Sequence, residues 1–85
     1  MKSEKELAIE LYEQNVQTLL ARKLDVRYHK ETLIPRYLKE KDKKVREAKV
    51  KEAEGRVKQL EILIKDMKDV IKFNKEMVEE YKQIR

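Results

Sequence analysis

Five β-branched residues recur every seventh position in the second half of this chain: Val50, Val57, Ile64, Ile71 and Val78. Read as heptad position a, they pair with a d column of Ala53, Leu60, Met67, Asn74 and Tyr81. Such a 3-4 spacing holds a stripe on one side of a helix and not of a strand, and β-branched residues at a lean toward two-stranded parallel packing, although antiparallel hairpins can use the same residues. A chain built around this column folds by burying one helix against another. The expected fold is therefore all-α, a helical hairpin with coiled-coil heptads that associates with itself.

A third apolar column is the unusual part. Position g carries Leu63, Val70, Met77 and Ile84, so residues 60–81 (LEILIKDMKDVIKFNKEMVEEY) present a face wider than a two-helix seam needs. Upstream the same column holds Lys49 and Arg56. Broad burial is thus expected only beyond about residue 60, where the helix should meet at least two neighbours. Asn74 at d reads as a polar residue that sets register. Ile62 and Phe73, at f and c, fall off the broad face, either as ordinary exposed apolar residues or as a second contact for a partner.

The N-terminal segment carries its own stripe. Ile9, Tyr12, Val16, Leu19 and Val26 share one side, and Leu20, Leu24 and Tyr28 widen it. Ser3, with Glu6 three residues on, is a capping-box start. Pro35 interrupts the pattern. Because proline lacks the amide donor and is tolerated in a first turn, the spacing predicts a bend there, with Thr32 as cap. The expected boundaries are a short helix over about 3–31 and a long one over about 33–85, in one domain spanning 1–85. A kinked continuous helix is the alternative, since no Gly, Asn or Asp stands between Arg27 and Leu38 to mark a turn. Gly55 falls at outward position f and should not break the long helix. Glu40, Glu47, Glu54 and Glu61 each precede a lysine by four residues, the favoured orientation for a solvated helix.

Composition narrows the function. One Gly, one Pro and no Cys exclude turn-rich sheets, disulfides and thiolate metal sites. His29 is the single histidine, and no phosphate loop or nucleophile motif is present. Neither an enzyme, a metal site, a cofactor nor a small-molecule substrate is expected. The charged start Met1–Glu6 and the lack of a long apolar run lead to an expectation of a cytoplasmic protein without membrane contact.

The net charge of +5 is concentrated in residues 39–58, where nine basic side chains meet five acidic ones. Around the expected bend, Arg27-Tyr28-His29-Lys30 and Arg36-Tyr37-Leu38-Lys39 both read R-Y-x-K. Arg27, Tyr28, Lys30, Arg36, Tyr37 and Lys39 are candidates for contact with an acidic partner or with nucleic acid, where cations grip phosphate and rings stack on bases. The bland account is tyrosines packed across a turn beneath Arg and Lys stems. The favoured function is non-catalytic protein binding, as an oligomeric adaptor, assembly factor or inhibitor. Its expected face comprises Val57, Leu60, Leu63, Ile64, Met67, Val70, Ile71, Met77, Val78 and Tyr81. Partners would be a second copy and another protein. The alternative is a small nucleic-acid-binding accessory protein acting through the basic residues at the bend.

Overall fold

The computed structural model describes residues 1–83, and these form two antiparallel helical arms in a rod 65 Å long and 19 Å across. The first arm comprises α1 (Glu4–Tyr28), a π-helical turn (His29–Leu33) and the short α2 (Ile34–Tyr37). The second is α3 (Lys43–Gln83), 41 residues without interruption. No strand occurs among the described residues. Ser3 caps α1 as its sequence predicts, its Oγ accepting the Glu6 amide at 3.2 Å.

The reversal lies later than Pro35. Residues 38–42 make the turn, and Pro35 sits in the first turn of α2, inside an arm that stays helical through Tyr37. The π turn explains how. A proline removes an amide donor and crowds the carbonyl four residues earlier. Here the chain widens just ahead of it, with the Ile34 amide donating to the His29 carbonyl five residues back. The bend predicted at Pro35 is thereby absorbed as a local widening. Thr32 is exposed in that turn and caps nothing among the described residues.

The cap of the second arm is Asp42. Its Oδ1 accepts the Val45 amide at 3.1 Å, and its carbonyl accepts the Arg46 amide at 2.9 Å. Arg46 also reaches back to donate to the Glu40 carbonyl at 3.1 Å, tying the turn to the new helix. Glu40 stands in the turn, so its expected helical pair with Lys44 does not form.

The a and d columns of α3 close on the first arm. Ala53, Val57, Leu60, Asn74 and Val78 are buried, Leu60 at 2 % exposure, while Ile64, Met67, Ile71 and Tyr81 are half-buried. From α1 the half-buried residues include Ile9, Tyr12, Val16, Leu19 and Val26, the stripe read from the sequence. Leu20, Leu24 and Tyr28, expected to widen that stripe, face outward instead. Gly55 lies within α3 with ordinary helical backbone, and a Cβ built there would meet open space.

Candidate interaction flank

The seam is pinned by one polar pair. Asn15 Nδ2 donates to Asn74 Oδ1 at 2.7 Å, and Asn74 is 6 % exposed at its d position. A buried amide without a partner would cost about 1–3 kcal/mol, so this pair favours one alignment of the arms over its neighbours. At the open end of the hairpin the Tyr81 hydroxyl donates to Glu4 Oε2 at 3.0 Å, consistent with the same alignment. The carboxylate raises the Tyr81 pKa by holding the phenol proton, since the hydrogen bond exists only while that proton remains.

On either side of the seam the hairpin has a flank, and the two differ. One is lined by Lys23, Glu61, Lys65 and Lys68, with Val26 and Ile64 at its floor. Lys30 reaches Glu61 across it at 4.0 Å, a distance that contributes little at such exposure. That is the ordinary arrangement, in which long charged stems cover a seam and leave their heads in water.

The other flank is where the g column emerges. Toward the open end it is apolar: Leu7, Ala8 and Leu11 of α1 form a groove with Phe73 and Met77 of α3, and Glu4 lies at its end. Val70 and Leu63 continue the column along α3 at seven-residue intervals. Phe73 is 59 % exposed, Val70 43 % and Leu63 36 %. Toward the turn the same flank becomes polar, with Lys49, Glu52, Arg56 and Gln59 facing His29, Leu33 and Tyr37. The Lys49 ammonium sits 5.5 Å from the centre of the Tyr37 ring, a cation–π contact. His29 Nδ1 lies 2.8 Å from the Asp25 carbonyl oxygen and 3.1 Å from its carboxylate Oδ1. Both neighbours only accept, so Nδ1 carries the ring proton.

The ten residues expected to form an association face thus divide into two groups. Val57, Leu60 and Val78 are consumed by the intramolecular seam, and Ile64, Met67, Ile71 and Tyr81 largely so. Leu63 and Val70 are left open, and Met77 is half-covered beside them in the groove. The heptad pattern cannot tell a partner helix in the same chain from one in another, which is why all ten looked alike. Leu7 and Leu11 were missed as members of the flank, and Phe73 was read as lying apart from the g column that it joins. Their signal was present as a short i,i+4 pair in α1 and an apolar residue at c, one turn from both Val70 and Met77.

The two R-Y-x-K segments do not make a matching pair in space. Tyr28 is exposed and stands edge-on to His29, whereas Tyr37 is half-buried under Lys49. Arg27 is engaged with Glu31 at 2.9 Å, and Lys30 points to Glu61. Arg36 and Lys39 are exposed near the turn. Among the described residues no cluster of His, Asp and Glu is placed to hold a metal, and no helix is long and apolar enough to cross a membrane.

Comparison with protein-family models, curated proteins and solved structures finds no match to this chain.

Proposed function

We propose that this protein is a non-catalytic binding module that engages other helices through the apolar flank, as an adaptor, assembly factor or inhibitor. The observation that carries this reading is the exposure of Leu63 and Val70 beside the Leu7–Leu11–Phe73–Met77 groove on a hairpin whose own seam is already closed. Contiguous apolar surface of this kind on a small, highly charged chain is a mark of an interaction site. A helix laid along the groove would use anchors at i, i+3, i+4 and i+7, matching the spacing of the column it covers.

Nothing in the geometry favours the nucleic-acid reading over this one. Tyr37 and Lys49 are occupied with each other, and the cations Arg27 and Lys30 already face carboxylates.

Capture of binding proteins on immobilised chain tests the reading, with Val70→Glu and Phe73→Glu as controls. Proteins, a tagged second copy included, that the parent holds and both variants release support it. An identical bound set on all three contradicts it.

A further inference from the structure

The flank carries charge as well as apolar surface, and the signs change along its length. At the open end it is acidic, with Glu4 in the groove and Glu80 one heptad beyond Phe73. At the turn end Lys49 and Arg56 outnumber Glu52. Between these ends stand Leu63, Val70 and Met77, with Asp66 at the edge.

We infer that a second copy of this chain covers the flank, running antiparallel to the first about a two-fold axis beside Val70. The inference rests on the protein-binding reading and names its partner. A two-fold contact is self-complementary: whatever meets at one end meets again at the other. With the axis at Val70, Val70 faces its own copy and Leu63 of one chain meets Met77 of the other. Arg56 of each copy then lies about one helical turn beyond Glu80 of its neighbour, at the end that also carries Glu4. A parallel pairing in register does the reverse. It sets Arg56 against Arg56, Glu80 against Glu80 and Asp66 against Asp66, and like charges directly opposed are destabilising.

The size of the contact agrees. The antiparallel overlap runs from Arg56 to the end of α3, about 28 residues, which at ~1.5 Å each is roughly 42 Å. At the 19 Å width of the rod, a contact of that length has a footprint of at most about 800 Å² per copy, enough to reach the size of a standard stable interface.

Single cysteines read the orientation, because the chain has none of its own. Val70→Cys places two thiols across the axis and should yield a disulfide-linked dimer on mild oxidation. Leu63→Cys should link to itself at least about tenfold more slowly, since its counterpart lies near the partner's Met77, beyond disulfide reach. Arg56→Glu should weaken the dimer about tenfold, and adding Glu80→Arg should recover most of that loss. Two results overturn the inference. Equal self-linking at 63 and 70 means a parallel pairing, in which case association through the flank survives but the orientation does not. A parent chain that sediments as a monomer at about 100 µM, far above a micromolar Kd, removes the second copy as the partner. In that case the capture experiment, in which other proteins are still held by the parent and released by Val70→Glu, decides whether the protein-binding reading stands by itself.

Discussion

The two flanks of this hairpin border the same seam, yet charged side chains predominate along one and apolar side chains along the other. On the charged flank Lys23, Glu61, Lys65 and Lys68 surround Val26 and Ile64. On the apolar flank the equivalent layer is Leu11, Leu63, Val70, Phe73 and Met77. Folding the hairpin does not require that difference, because charged stems cover the seam well enough on the first side. Leu63 and Val70 remain more than a third exposed in the folded chain, so that part of their apolar surface adds nothing to its stability. The contrast separates residues that make the fold from residues that the fold leaves partly uncovered.

The largest effect belongs to neither flank. Leu60 lies in the seam between them, fully buried, and Leu60→Ala should cost about 2–5 kcal/mol. Small chains have a total stability of only about 0.05–0.15 kcal/mol per residue, so this loss leaves the hairpin marginal. A chemical-denaturation curve checks it. A cost below that of Val70→Ala would mean that the seam has been assigned to the wrong face.

The next tests how the two flanks are held apart. The Asn15–Asn74 pair sets which residues emerge on which side. Asn74→Leu leaves Asn15 without its partner and should cost about 1–3 kcal/mol by thermal melt. Replacing both by Leu should recover much of that stability but blur the alignment, seen as broadened amide resonances along α1. Full stability together with sharp, unshifted resonances would show that the apolar columns alone fix the register.

Gly55 sharpens the comparison from outside both flanks. Its backbone is helical, and nothing lies where a Cβ would go. Gly55→Ala should therefore stabilise by about 0.5–1 kcal/mol without altering association. A lower melting temperature would place a break in α3.

The smallest effect is at the open end of the apolar flank. The Tyr81 pKa is raised by its hydrogen bond to Glu4, so the folded state favours the protonated phenol. The associated stability is present in full below the ordinary tyrosine pKa of about 10 and is lost as pH rises through the raised folded value. Parent and Tyr81→Phe should differ slightly at neutral pH and converge in strong alkali. A difference that grows with pH would contradict the sign.

Much of this was legible in the residues themselves. The Val50-to-Val78 column, the Ser3 cap, the α1 stripe and the continuity of α3 through Gly55 follow from period and local chemistry, and all four appear in the fold. The turn was misplaced because Pro35 is the loudest local signal, while the deciding residue was Asp42, a capping side chain seven residues on. A π turn has no sequence signature to set against a proline. The flank was half legible. The g column announced a surplus of apolar surface, but only the folded seam shows that α1 takes up a and d and leaves g uncovered.

The central claim is that one flank binds and the other does not. Sedimentation equilibrium of the parent, Val70→Glu and Lys68→Glu at about 100 µM tests it directly, beside melts at low concentration where association is negligible. The account predicts that the parent and Lys68→Glu associate alike and that Val70→Glu sediments as a monomer, with low-concentration melting temperatures for all three within the small range expected of surface changes, about 0.5 kcal/mol in stability. Indistinguishable sedimentation of Val70→Glu and Lys68→Glu would contradict it.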